Sequence, residues 1–177
     1  MVPIGFTQHA EEYSVSFYEL WCLKIALTVL AIGLFAGTLD IADALIFNVL
    51  RGITPVMVLQ YIASGLIGAA SFRGGLTSAG LGLVIHYLIA LRWTTLFFTA
   101  SRKIAILTGR PILSGLIYGN VVYLVMNFVI LPASSVPHPS SATTIAALIN
   151  GVLALMLCIG LPVSVLTSRY LPRRDRH

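Results

Sequence analysis

Long apolar stretches separated by short polar links dominate this chain. A helix of about 20 apolar residues crosses the roughly 30 Å hydrocarbon core of a bilayer. Four stretches reach that length and predict transmembrane helices, at residues 25–50, 76–99, 112–132 and 142–166. Charged residues and Gly or Pro mark most of their ends, as is typical of helix boundaries. The pattern predicts an all-α fold, a polytopic membrane helical bundle with four transmembrane helices.

A fifth apolar stretch, residues 55–72, permits two interpretations. Its length of about 18 residues is close to the minimum for a crossing. It also contains Gln60, Ser64, Gly65 and Gly68, which are unfavourable in a helix that is surrounded by lipid. We expect one short re-entrant or interfacial helix here, with a fifth crossing as the alternative.

Composition supports a membrane location for the whole chain. Of its 177 residues 58% are hydrophobic and only 10% are charged, and the mean hydropathy is +0.94. Soluble domains carry about 25% charged residues, so this chain has too few to cover a water-exposed surface. A soluble enzyme, a disordered regulator and a disulfide-stapled secreted domain are excluded. Residues 1–177 are predicted to form a single integral-membrane domain that ends in a basic tail, residues 167–177.

The distribution of Lys and Arg predicts the orientation. With four crossings, eight of the eleven basic residues fall on one side, and Arg51 and Arg73 fall on the other. The eight are Lys24, Arg102, Lys103, Arg110, Arg169, Arg173, Arg174 and Arg176. Because basic residues favour the cytoplasmic side, we expect a bacterial inner-membrane protein with both termini in the cytoplasm. A crossing by residues 55–72 would still keep the C-terminus inside but would place the N-terminus outside.

Polar side chains within the predicted spans are the main functional candidates. Ionisable groups at membrane depth are costly and commonly serve a function. Counted along each helix, Asp40 lies roughly 4 Å and Asp43 roughly 8 Å to the outer side of the midplane, and His86 lies about 2 Å from it. The candidate intramembrane polar cluster comprises Asp40, Asp43, His86, Asn120, Tyr123, Asn127 and Asn150.

Each ionisable residue of this cluster has more than one interpretation. Asp40 and Asp43 could accept hydrogen bonds that fix the packing, face water at the outer mouth, or form a protonatable or ion-binding pair. His86 could stabilise the bundle or relay a proton, since its ordinary pKa is near 6.5. The spacing of these residues is a weak metal signature. We expect no catalytic residues, no metal and no cofactor.

Two small-residue patterns predict where helices pack closely. They are Gly33-x-x-x-Gly37 in the first span and Gly115-x-x-x-Gly119 in the third. Glycines four residues apart let two membrane helices approach each other closely. Such patterns are common in membrane helices, so they indicate association without indicating a function.

The region from His86 to Pro132 resembles part of the YagU-like group of small bacterial inner-membrane proteins. The features that carry the resemblance are His86-Tyr87, Pro111-x-x-x-Gly115-x-x-x-Gly119 and Asn127-x-x-x-x-Pro132. They cover about a quarter of the chain. The resemblance implies a bacterial inner-membrane location and a four-span bundle, and it implies no activity.

Three functional hypotheses follow from the sequence. The first is a non-enzymatic membrane or envelope component, because no catalytic motif and no extended soluble region is present. The second is a small transporter, channel or proton-linked sensor that uses the Asp40, Asp43 and His86 cluster. An intramembrane enzyme is the third. The expected partner is the lipid bilayer, together with a second copy of the chain or another membrane protein, and we expect no nucleic acid.

Overall fold

The computed structural model describes residues 4–137 and 144–171, with side chains from residue 19 onward. In this part of the chain all regular structure is helical, which confirms the predicted all-α bundle. The helices are α1 (Ile4–Val49), α2 (Pro55–Arg73), α3 (Gly75–Ser101), α4 (Ala105–Gly109), α5 (Pro111–Ala133) and α6 (Ile145–Tyr170). Five of these, all except the short α4, are long and apolar enough to cross a membrane. Residues 142–143 of the fourth predicted span and residues 172–177 of the basic tail lie outside the described residues.

Helices α1, α3, α5 and α6 alternate in direction. A β-carbon built on Gly37 of α1 would lie 3.0 Å from that of Ala90, halfway along α3. The Arg102 guanidinium, just beyond the end of α3, lies 5.2 Å from the ring of Trp21 near the start of the α1 span. The two helices are therefore antiparallel. Helices α5 and α6 are antiparallel as well, because Ser164 near the end of α6 donates a hydrogen bond to the carbonyl of Pro111 at the start of α5 (2.7 Å).

This alternation gathers the basic residues at one end of the bundle. Lys24 precedes the centre of α1, and α4 and the links beside it carry basic residues to the same end. Arg169 lines a groove with Leu27 and Thr28, which places the end of α6 there as well. We call this the basic end; its described basic residues are Lys24, Arg102, Lys103, Arg110 and Arg169. Arg51 and Arg73 lie at the other end, which we call the opposite end.

Helix α2 does not follow the up-and-down order. The Gln60 amide donates to the carbonyl of Gly75 (3.1 Å), at the start of α3. The Gly65 carbonyl accepts from the backbone N–H of Ser135 (3.1 Å), just after the end of α5. Both of these partners belong to the opposite end, where α1 also ends. Length and composition would permit a crossing, but these contacts hold Gln60 and Gly65 of α2 at the opposite end of the bundle.

Two of the long helices contain wide π-helical turns, at Met126–Ile130 in α5 and at Leu155–Gly160 in α6. In each case the residue after the segment donates its N–H to the carbonyl five residues earlier. Pro132 and Pro162 each lie two residues after the end of such a segment. Proline lacks an N–H and its ring collides with the carbonyl four residues earlier. A wide turn removes that collision, and such turns are frequent near functional sites.

Glycines set the closest approaches between helices. A β-carbon on Gly33 would lie 2.6 Å from the Leu91 side chain of α3, and one on Gly115 would lie 2.8 Å from the Gly160 carbonyl oxygen of α6. Gly37 and Gly119 face the same two neighbours. The structure therefore places both GxxxG pairs at helix contacts. Gly160, which the sequence analysis did not single out, completes the contact of α5 with α6.

A hydrophobic cluster fills the bundle toward the basic end. Its buried members are Ile32, Ala36, Ala90, Phe97, Ile159 and Val163. Phe97 and Val163 are completely enclosed. The Tyr118 ring packs edge-on against Phe97, and its hydroxyl donates to the carbonyl of Trp93 (2.6 Å). This cluster joins four helices and leaves the other half of the bundle more open.

Candidate functional site

A cavity of about 390 Å³ lies between α1, α3, α5 and α6. Most of its wall is apolar, and Ile62 of α2 contributes to it. The polar residues that line it are Asp40, Asn48, Arg51, His86, Tyr123, Asn127 and Asn150. Ligand pockets of about 300–1,000 Å³ with mostly apolar walls and a few polar groups are typical of small-molecule sites.

The cavity reaches one end of the bundle and is closed toward the other. It extends from Arg51, which is exposed at the opposite end, to Trp93 in α3. Ala90 and Ile159 belong both to the cavity wall and to the hydrophobic cluster, so that cluster forms the floor. A molecule would therefore enter from the opposite end and meet Asp40 and His86 near the middle of the bundle.

The two aspartates of α1 have different surroundings. Asp40 lines the cavity. Asp43 accepts a hydrogen bond from the Asn150 amide (2.9 Å), which joins α1 to α6. The sequence left several roles open for these aspartates. The contact of Asp43 agrees with one of them, a carboxylate that accepts a hydrogen bond and fixes the packing of two helices. Asp40 remains the carboxylate that can meet a ligand.

His86 joins α3 to α1. Its Nε2 lies 2.8 Å from the carbonyl oxygen of Gly37, and the side chain is 9% exposed. Because a carbonyl oxygen only accepts hydrogen bonds, Nε2 carries a proton. Gly37 lies one helical turn from Asp40, so this bond holds the imidazole beside that carboxylate. In the neutral ring Nδ1 is then an acceptor.

The polar residues predicted on α5 separate into two groups. Tyr123 and Asn127 line the cavity, and the Asn127 amide also donates to the Tyr123 carbonyl (3.0 Å). Asn120 is exposed on the outer side of α5 and does not line the cavity. The sequence analysis included all three in the candidate intramembrane polar cluster. Asn120 and Tyr123 both belong to the regular part of α5, where a step of three residues leaves them about 60° apart around the axis, and only Tyr123 is on the side that faces the cavity.

The sequence analysis missed the end of α1 as part of the site. Asn48, Arg51 and Phe47 all line the cavity. The Arg51 guanidinium lies 5.3 Å from the centre of the Phe47 ring and donates a hydrogen bond to Thr144 (3.2 Å). A step of seven residues from Asp40 to Phe47 keeps these two on one helical face, and Arg51 lies in the turn that follows the end of α1. That spacing was a usable signal.

Comparison of the chain with protein-family models, curated proteins and solved structures finds no match. The cavity must supply the evidence for function. In the part of the chain that the structure describes, no three His, Cys, Asp or Glu side chains come together as metal ligands would. The cavity offers one carboxylate with a neighbouring imidazole and amides, set in an apolar and aromatic wall, with the Arg51 guanidinium at its mouth.

Proposed function

We propose that this protein binds a small, largely apolar cation in the cavity and acts as a small transporter. The observation that carries the proposal is Asp40, a carboxylate at the inner part of a cavity whose wall is mostly apolar. A carboxylate in such surroundings attracts a cation strongly, because little water is present to screen the charge. The rings of Trp93, Phe47 and Tyr123 offer further attraction through cation–π contacts.

One closed end also favours a transporter over an open channel. An open channel needs a continuous polar path, whereas Phe97 and Val163 are buried in the cluster beneath the cavity. In transporters, a site near the middle of the membrane is reached from one side at a time. The π-helical turns of α5 and α6 contribute Asn127 and Ile159 to the wall, so both helices have an irregular segment at the site.

A non-enzymatic membrane or envelope component is the second candidate. The glycine contacts support it, as does the hydrogen bond between Asp43 and Asn150. Such a component has no use for an accessible carboxylate in an internal cavity. The transport proposal explains both the packing and Asp40.

Binding of tetraphenylphosphonium tests the proposal. This cation is apolar and permanently charged, so its own protonation does not complicate the result. Asp40→Asn should weaken binding to the purified protein in lipid nanodiscs by about tenfold or more, since a charge-assisted contact commonly contributes about 1.5–3 kcal/mol. Asp43→Asn is the matched control and should change affinity much less. Equal affinity of wild type and Asp40→Asn would contradict the proposal.

Flux through the membrane separates a transporter from a sensor that only binds. Vesicles that contain the wild-type protein should accumulate tetraphenylphosphonium faster than vesicles that contain Asp40→Asn. Binding without protein-dependent flux would replace the transporter with a sensor. Unimpaired assembly and equal flux in both proteins would favour the structural component.

We also propose the bacterial inner membrane as the location, with the basic end and both termini in the cytoplasm. The support is the grouping of Lys24 with the basic residues around α4. Cys22 is exposed at this end, and Cys158 is half-buried within α6. A membrane-impermeant maleimide should label Cys22 only after the cells are permeabilised, and Cys22→Ser should abolish that labelling. Labelling in intact cells would reverse the orientation. Membership of the YagU-like group stays a prediction.

A further inference from the structure

Asn120 is a polar residue on the outward face of α5. It is exposed, and it lies about 3 Å along the axis from the middle of Pro111–Ala133. The side chains around it on this face are large, apolar and exposed: Leu113, Ile117, Leu124 and Phe128 are between 46% and 73% exposed. In a membrane-spanning bundle this face meets lipid or another protein.

Other polar side chains on outward faces are satisfied by their own helix. Thr28, Thr38, Thr95 and Thr99 each donate to the carbonyl four residues earlier, at 2.7–2.8 Å. Among the described residues Asn120 has no corresponding bond. Arg92 is also exposed in mid-helix, but its long side chain can extend toward the membrane surface. The short Asn120 side chain cannot.

The chemistry of a carboxamide suggests what covers Asn120. Acyl chains offer neither a donor nor an acceptor, and an amide left unpaired in hydrocarbon is costly. A carboxamide carries two donors and one acceptor, so two copies of it satisfy each other. A second copy of this chain carries the same carboxamide at the same depth in the membrane, so no other partner is needed to satisfy Asn120.

The spacing of the surrounding residues fits a helix pair. Leu113, Ile117, Asn120 and Leu124 follow one another at steps of four, three and four residues, the spacing of a heptad seam. We call these four residues the Asn120 seam. A single asparagine within such a seam fixes the register of two helices. All copies enter the membrane with one topology, so paired α5 helices are parallel and each seam residue faces its own counterpart.

We propose that two copies of this chain pair through the Asn120 seam, with the two Asn120 amides hydrogen-bonded across a two-fold axis along the membrane normal. The proposal does not depend on the cavity, because Asn120 lies outside its wall. The inner residues of α5 remain free to face the cavity of their own copy.

Energy transfer between labelled copies in lipid vesicles measures the pairing as the protein is diluted with lipid. The wild type should associate, and Asn120→Leu should weaken association by on the order of tenfold, since interhelical hydrogen bonds in membranes contribute modestly and two are lost. Asn120→Gln keeps the donors and the acceptor and should retain most of the pairing. Thr95→Val, a polar-to-apolar change on an exposed face of α3, is the matched control and should leave it unchanged.

Disulfide cross-linking provides a second measurement that does not depend on Asn120 variants. In a background with Cys22→Ser and Cys158→Ser, oxidation should cross-link Ile117→Cys or Leu124→Cys between copies. Leu96→Cys, at a site 53% exposed on α3, should stay monomeric under the same conditions.

Four results would overturn the proposal. The first is a wild type that stays monomeric at every lipid ratio, and the second is an Asn120→Leu variant that associates as tightly as the wild type. The third is cross-linking at Leu96→Cys rather than at the seam. The fourth is binding of a different membrane protein to the seam, which would assign this face to another partner.

Discussion

Replacing Gly119 with alanine tests how strongly close packing between α5 and α6 stabilises the bundle. A β-carbon at this position would lie 2.5 Å from the Met156 α-carbon and still closer to the Leu155 carbonyl oxygen. Both are backbone atoms, so no side-chain rotation can make room, and α6 must move away. Overpacking of this kind costs about 1–3 kcal/mol. The higher helix propensity of alanine offsets up to about 1 kcal/mol of that cost.

Gly80 provides the matched control, because it lies within α3 and a β-carbon there meets nothing within 4 Å. Gly80→Ala should be neutral or should stabilise by up to about 1 kcal/mol. We therefore expect the free energies of unfolding of Gly119→Ala and Gly80→Ala to differ by about 2 kcal/mol. Titration of both proteins with a denaturing detergent in mixed micelles measures the difference. Equal stability of the two variants would show that α5 and α6 do not approach each other as closely as the structure places them.

Three other substitutions test single hydrogen bonds by the same unfolding assay. Tyr118→Phe removes the donor to the Trp93 carbonyl (2.6 Å) and should lower the free energy of unfolding by about 1 kcal/mol. An unchanged stability would show that this hydrogen bond does not stabilise the bundle. Asn150→Leu leaves the Asp43 carboxylate without its amide partner and should cost about 1–3 kcal/mol, whereas adding Asp43→Leu should recover part of the loss. Additive losses in that double variant would contradict the pairing. His86→Leu removes the bond that joins α3 to α1 and should destabilise by about 1 kcal/mol, and a stabilised variant would refute that role.

Much of the helical framework could be predicted because hydrophobic length and helix-ending residues determine it locally. The predicted spans 76–99 and 112–132 agree within two residues with Gly75–Ser101 and Pro111–Ala133. The expectation of a short re-entrant or interfacial helix at residues 55–72 stays a prediction, since Pro55–Arg73 is also long and apolar enough to cross a membrane. What the sequence could not show is why this part of α2 lies at the opposite end of the bundle. That depends on the hydrogen bond of Gln60 to Gly75 of α3 and on the bond that the Gly65 carbonyl accepts from Ser135, just after α5.

The cavity was harder to predict because its members come from distant parts of the chain. Five of the seven residues in the predicted polar cluster line it, since most polar groups in a membrane bundle point inward. The bond between Asp43 and Asn150 joins residues 107 positions apart, and no local pattern identifies it. Asn120 was misplaced for a different reason. Asn120 and Tyr123 are three residues apart in a regular helix, and the sequence does not show where between them the cavity wall ends and the outward face begins.

Helix α5 presents three faces to three different surroundings, and this separation can be tested. Gly119 faces α6, Asn127 faces the cavity, and Asn120 faces outward. Asn120→Leu should therefore weaken the pairing of two copies without changing tetraphenylphosphonium affinity. Asn127→Leu should lower that affinity without changing the pairing, because the substituted side chain lies inside the bundle. If either substitution alone lowered both, the cavity and the Asn120 seam would be coupled through α5, and their assignment to independent roles would be wrong.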